Sequence, residues 1–190
     1  MYTQCQQFFW RNFGAGKVSL YNIGMHDYFY QFPGRYPLGA RLLHAAESAD
    51  LSSWQVINEF DVLRLPVDLF LNQPKIMRVL DHFGSKERLS IFRLQPWYNY
   101  SWHIDTNRGC SLNMLLSGWH SVSMFGAMIN FRHYHRLACV DYPVDGFVAL
   151  NTHRWHSIVN FAETRYVLSI GIDIRYSFAE LVDYCVKLEL

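Results

Sequence analysis

The stretch "YSWHIDTNRGCSLNMLLSG", residues 100–118, decides how this chain is read. It sets His103 and Asp105 two apart, just ahead of a run from 110 to 116 that has the texture of a buried strand. In extended backbone, residues i and i+2 point to the same side, so the imidazole and the carboxylate would face one space. Two polar groups aimed together into a β-fold interior are costly unless something binds them, and a metal ion would do so. A lone His-X-Asp is a weak signal, so the reading depends on what surrounds it.

Around it lie short apolar runs: 89–94, 110–116, 121–129, 136–142, 146–150, 156–161 and 165–174. Each suits a strand, and turn-like "TNRG", "SGW" and "PVDG" separate them. Closely spaced strands of this kind imply a sandwich or jelly roll. Residues 1–86 read differently, as mixed and partly helical. "PLGARLLHAAESA" (37–49) has Leu38, Leu42, Leu43 and Ala46 at helical spacing. "LSSWQVINEF" opens with Ser52 and Ser53 as candidate helix N-caps. "NQPKIMRVLDHFG" has Pro74 at its start and Gly84 as a stop. The tail "SFAELVDYCVKLEL" puts Leu181, Tyr184, Cys185 and Leu188 on one helical face. The expected architecture is therefore mainly β with flanking helices (α+β), one domain over 1–190. A jelly-roll core spans 87–175, an N-terminal region 1–86 packs on its outside, and a closing helix covers 176–190.

The 190 residues are 51% hydrophobic and 17% charged, with a net charge of +1, which describes a globular chain with a sizeable core. No basic block appears, which argues against nucleic acid as a partner, because neutralising phosphates needs clustered Lys and Arg. Cys5, Cys110, Cys139 and Cys185 form no C-x-x-C pair, so a zinc ribbon or thioredoxin motif is excluded. Scattered cysteines, no signal-peptide pattern and no long apolar window make a cytoplasmic protein without a membrane span the expectation.

Downstream, "GFVALNTHRWHSIVNFAETRYVLSIGI" supplies His156, 51 residues after Asp105, and Arg165, nine further on. Two imidazoles and one carboxylate make the facial triad that binds Fe(II) and leaves coordination positions open. His153 is three from His156, so in a strand the two face opposite sides and cannot both ligate; the spacing to Arg165, and the resemblance of "WHSIVN" to the family named next, favour His156. With "RLQPWYNYSWHID", "RGCSLNMLL", "LNTHRWHSIVN" and "RYVLSI" taken together, the chain resembles the Fe(II)/2-oxoglutarate-dependent oxygenases over roughly residues 90–175. The nearest flavour is the branch of aspartyl/asparaginyl beta-hydroxylase-like and proline hydroxylase-like enzymes.

The resemblance implies a double-stranded beta-helix with the metal in one mouth, held by His103, Asp105 and His156. It implies Arg165 on the distal carboxylate of 2-oxoglutarate, a role suited to a guanidinium that pairs bidentately and is always charged. It also implies dioxygen as co-substrate, an organic substrate hydroxylated at an unactivated C–H bond, and release of succinate and carbon dioxide. The halogenating relatives carry a small residue in place of the carboxylate, and some beta-hydroxylases lack it. Asp105 therefore favours hydroxylation and departs from the two-histidine enzymes.

Other residues keep two readings. Ser169 shares a strand face with Arg165, either helping to hold the carboxylate or serving as a satisfied barrel hydroxyl. Asn113 alternates with Leu112 and Met114 and points either inward beside 2-oxoglutarate or elsewhere. Arg93 reaches the site mouth or forms an external salt bridge. Asn151 and Asn160 suit turn and backbone pairing. Trp97, Tyr98, Tyr100 and Trp102 form a pocket wall or aromatic core. "RHYHR" (132–136) reads as a substrate-contacting rim or basic face more readily than as a second metal pair. His26, His44, His82 and His120 read as structural or exposed. The rival functions are a nucleobase or nucleic-acid oxygenase on the same fold, a non-catalytic metal-binding jelly-roll module, and a structural or assembly protein whose histidines coincide by chance.

Overall fold

The computed structural model describes residues 27–130 and 133–190. In chain order these run through strand β1 (Phe29–Gln31), helix α1 (Gly39–Glu47), β2 (Trp54–Ile57), β3 (Phe60–Arg64), helix α2 (Pro74–His82), β4 (Leu89–Leu94) and β5 (Asn99–His103). There follow β6 (Cys110–Ser117), β7 (Val122–Asn130), β8 (His133–Val140), β9 (Val148–Leu150), β10 (His156–Val159), β11 (Arg165–Ile172) and helix α3 (Phe178–Lys187). Every pairing is antiparallel. One sheet has the order β1-β9-β6-β11-β4-β3-β2 and the other β5-β10-β7-β8. This is a jelly roll with flanking helices, as the strand spacing implies.

Strand periodicity explains how the large sheet serves two layers at once. On β6, Cys110, Leu112, Met114 and Leu116 join the main core with Leu42 and Ala46 of α1, Ile76, Val79 and Leu80 of α2, and Leu181 and Cys185 of α3. Tyr166, Leu168, Ile170 and Ile172 of β11 do the same. Full burial of each such side chain contributes about 1.5–3 kcal/mol. The intervening residues, Ser111 and Asn113 on β6 and Arg165, Val167 and Ser169 on β11, face the space between the sheets. All eight positions of β11 are consequently buried. A smaller cluster of Phe29, Phe125, Val140, Val148 and Leu150 closes the space between the sheets at one side.

The helices form for local reasons. Pro74 sits in the first turn of α2, and Gly84, at φ +60, follows its end. A capping box opens α3: the Glu180 N–H donates to Ser177 Oγ at 3.2 Å and the Ser177 N–H donates to Glu180 Oε2 at 2.7 Å.

One expectation is corrected. Ser52 and Ser53 do not cap a helix; they end a single 3-10 turn, Leu51–Ser53, and a β-hairpin of β2 and β3 follows. Trp54, Val56, Ile57, Phe60 and Val62 favour extended backbone. Asn58 and Glu59 take φ of 48° and 70°, the paired positive values of a type I′ turn that matches strand twist. Residues 27–86 therefore do more than pack outside the sheet: β1 forms one edge and β3-β2 the other.

Cys110 and Cys185 are free and buried, and burial pushes each thiol up to about 12. Cys139 is disulfide-bonded, so the argument from scattered thiols to a reducing compartment loses force. Cys5, His26 and the side chains of His133 and His135 lie outside the described residues. Among the described residues no helix is long and apolar enough to cross a membrane.

Gly118 follows β6 at φ +82, and a Cβ there would lie 2.7 Å from Arg165 Cα. Gly118→Ala is expected to cost about 1–3 kcal/mol through backbone strain and the clash, read as a lower midpoint in chemical denaturation. An unchanged midpoint would show that β11 can shift away at its start without penalty.

Candidate metal centre

The two imidazoles are a cross-strand pair. His103 ends β5 and stands opposite His156, the first residue of β10. Directly opposed residues in an antiparallel ladder have neighbouring Cβ atoms, and here the ring centroids are 4.0 Å apart. Each ring is fixed from behind in the same way. His103 Nδ1 lies 2.8 Å from the Ser101 carbonyl and His156 Nδ1 lies 2.8 Å from the Arg154 carbonyl. A carbonyl only accepts, so Nδ1 carries the proton in both rings and Nε2 presents its lone pair forward. Phe125 lies against His156 and the edge of Tyr100 against His103, bracing the pair. Burial, and then the charge of His103, lower the His156 pKa to about 4 against the pull of Asp105 and the Arg154 carbonyl. At neutral pH this ring is a neutral donor.

Asp105 lies two residues past the end of β5, where its N–H donates to the Thr152 carbonyl at 3.0 Å. That bond, not strand alternation, holds it beside the imidazoles. Its Oδ1 is 3.5 Å from His103 Nε2 and 4.0 Å from His156 Nε2. Its Oδ2 accepts from Arg108 Nε at 2.5 Å. Burial alone would raise the Asp105 pKa. The neighbouring His103 ring and then the charge and hydrogen bond of Arg108 outweigh burial and hold it well below the usual carboxylate range. His103, Asp105 and His156 thus offer three ligand atoms within 4.8 Å of one another. Two imidazole nitrogens and one ionised carboxylate oxygen suit Fe(II) or a similar divalent metal.

Arg165 opens β11 and is fully buried, 2% exposed. Its Nη1 donates to Ser121 Oγ at 2.6 Å and its Nη2 to Ser123 Oγ at 2.8 Å, both across the gap to the smaller sheet. The guanidinium lies over the Tyr142 ring, Cζ 5.4 Å from the centroid. Burial lowers its pKa, but a guanidinium stays charged. Among the described residues no carboxylate pairs with it, and its Nε has no partner. Asn113 Oδ1, inward on β6, is also buried without a partner.

Two adjoining cavities meet at this centre. The inner one is lined by Arg165, Asn113, Ser169, Ser123, Tyr142 and Thr152. The outer one, about 260 Å³, is lined by His103, Asp105, Tyr100, Ser90, Gly171 and a set of arginines. Phe60, Phe92, Arg108, His156 and Ile158 line both, so His156 stands on their common wall while His103 and Asp105 face the outer cavity.

The structure brings His103, Asp105, His156 and Arg165 to this region and puts Asn113 and Ser169 in register on neighbouring strands of the same inner face. His153 is exposed in the preceding turn. Arg93 takes the salt-bridge reading: it pairs with Asp61 at 2.9 Å and lies over Trp54. Asn160 donates to the carbonyls of Leu94, Gln95 and Glu163, and Asn151 to that of Asp27, which are backbone-pairing roles. Tyr100 is in the outer wall, whereas Trp97 is exposed. Sequence reasoning missed Arg108, Ser121, Ser123 and Tyr142. For the serines a signal existed: "SVS" at 121–123 alternates, as an inward polar row would.

No protein-family model matches the sequence, and no curated protein matches it. Solved structures do. A prolyl-4-hydroxylase from Pseudomonas putida matches with a TM-score of 0.57 at 15% identity, over 78% of this chain and 93% of that one. A 2OG-Fe(II) oxygenase family oxidoreductase from Burkholderia pseudomallei matches at 0.53 and 14%, over 83% and 96%. A prolyl hydroxylase from Trichoplax adhaerens, solved with a hypoxia inducible factor peptide fragment, matches at 0.56 and 10%, over 77% and 84%. At these identities the likeness is one of fold: the chain has the jelly roll of these proteins.

Proposed function

We propose that the chain is a non-haem Fe(II)/2-oxoglutarate-dependent dioxygenase that hydroxylates an unactivated C–H bond of an amino acid, a peptide or protein side chain, or a small metabolite. One observation carries the reading. A buried guanidinium without a carboxylate lines the inner cavity together with His156, and His156 is set with His103 and Asp105, which line the adjoining outer cavity, so that the three are poised for one metal. An uncompensated buried cation costs several kcal/mol, and an anionic ligand removes that cost. A dicarboxylate that also reaches the metal satisfies both features, and 2-oxoglutarate is such a molecule. The likeness of fold to a 2OG-Fe(II) oxygenase and to prolyl hydroxylases supports the same reading and favours the proline hydroxylase-like branch.

When bound, Fe(II) with 2-oxoglutarate and dioxygen supplies oxidising power for C–H hydroxylation, giving succinate and carbon dioxide. The chain's own part is positioning. His103 Nε2, His156 Nε2 and Asp105 would hold the metal, with the protons parked on Nδ1. Arg165, steadied by Ser121 and Ser123, would take the distal carboxylate, with Asn113 and Ser169 alongside. The apolar sides of Phe92, Leu94, Met124, Phe125 and Val167 exclude water from that pocket.

Fe(II) binding under anaerobic conditions is expected to weaken at least ~100-fold in His103→Ala, Asp105→Ala and His156→Ala, beyond the ~10–100-fold typical of losing an outer partner. His153→Ala should bind as wild type. If His156→Ala binds normally and His153→Ala does not, the assignment of the distal ligand is wrong. With iron bound, titrating 2-oxoglutarate should raise a weak visible band. Arg165→Gln should retain iron while losing ~30-fold or more in 2-oxoglutarate affinity, in line with the 2–5 kcal/mol cost of unpairing a buried charge. Undiminished affinity would sink the role given to Arg165; iron binding without any band would leave a metal-binding jelly roll.

A further inference from the structure

The outer cavity has a charge pattern that the iron reading does not use. Arg64, Arg88 and Arg108 reach it, against one acid, Asp105. Two of these arginines are paired: Arg108 with Asp105, and Arg88 with Asp173 at 2.8 Å. Arg64 is not. Its Nη1 donates to Ser90 Oγ at 3.0 Å and to the Glu87 carbonyl at 3.4 Å, both uncharged acceptors. Among the described residues no carboxylate comes within 4.0 Å of it. Ser90 is buried on β4 directly opposite Arg64 in the ladder, so this bond draws the guanidinium to the cavity side of β3.

Between Arg64 and the metal cluster the wall is apolar and aromatic, with Phe60, Val62, Phe92, Tyr100 and Ile158. The volume, about 260 Å³, falls just below the ~300–1,000 Å³ of drug-sized ligand sites. That suits a molecule the size of an amino acid, not a folded peptide segment.

We infer that the outer cavity takes a small organic acid. Its carboxylate pairs with Arg64, and its apolar body lies along Phe60, Phe92 and Tyr100 with a C–H bond presented to the His103/Asp105/His156 wall. The inference rests on the dioxygenase reading for the purpose of the site, but the recognition is a property of Arg64 and the cavity alone. The carboxylate–guanidinium pair supplies the polar anchor and the aromatic wall the shape selection.

The test compares 4-phenylbutanoate with 4-phenylbutanamide, matched in size and differing in charge. Binding to the full chain is measured by calorimetry with and without Fe(II), with saturating 2-oxoglutarate present throughout. The acid is expected to bind about tenfold or more tightly than the amide, a gap of ~1.4 kcal/mol. Arg64→Gln, at an exposed position at the end of β3, should close the gap. Gly171→Leu, which projects into the cavity, should weaken both ligands. Equal affinity of acid and amide, no binding of either at millimolar concentration, or a gap that survives Arg64→Gln overturns the inference. The readout requires no turnover and is repeated without iron, so failure of the iron experiments and failure of this one are separate results.

Discussion

Arg165 carries a full positive charge into the space between the two sheets, and among the described residues nothing of opposite charge meets it. Removing such a group from water costs several kcal/mol even after relaxation. Two serine hydroxyls and an aromatic face offset part of that cost, and they hold the guanidinium in one orientation. Much of the local architecture serves this placement. Gly118 packs on the backbone of Arg165 at a spacing no other residue allows, and β7 aligns Ser123 with the guanidinium across the gap. A fold with this arrangement keeps a fixed cation between its sheets at a cost in stability.

The same economy of register builds the metal cluster. Pairing β5 with β10 places one histidine opposite the other, and each ring is oriented by the carbonyl two residues before it. Asp105 needs a separate device because β5 has ended, and the bond to the Thr152 carbonyl supplies it. The alternation of β6 and β11 then sends apolar side chains to the helices and polar ones to the cavity, so a central strand carries core and site together.

These features differ in how far sequence exposes them. The long interior strands announce themselves: the runs at 89–94 and 110–116 nearly coincide with β4 and β6. His103, Asp105, His156 and Arg165 are visible as an ordered set of residue types, although Asp105 reaches the site through a loop bond to the Thr152 carbonyl and not through strand alternation. Short edge strands are not visible. β1 has three residues and β2 four, too few to establish a period, and the type I′ turn at Asn58-Glu59 lacks the glycine that usually marks it. β5 escaped for another reason: its aromatic, half-exposed residues look like loop or wall. Arg108 sits in a turn, and nothing in "TNRG" shows that its side chain folds back three residues to a carboxylate.

That return contact bears on how the centre works. A free carboxylate offers two equivalent oxygens to a metal and can take two coordination positions. In Asp105 the oxygens are inequivalent before any metal arrives: Oδ2 is committed to Arg108, and Oδ1 alone faces both Nε2 atoms. On the proposed reading this makes Asp105 a one-oxygen ligand, and the position thereby spared stays open for the co-substrates. Arg108 also lines both cavities, with Nη1 3.4 Å from Ser169 Oγ on the inner side. The guanidinium that holds Asp105 Oδ2 is therefore also part of the wall between the two cavities.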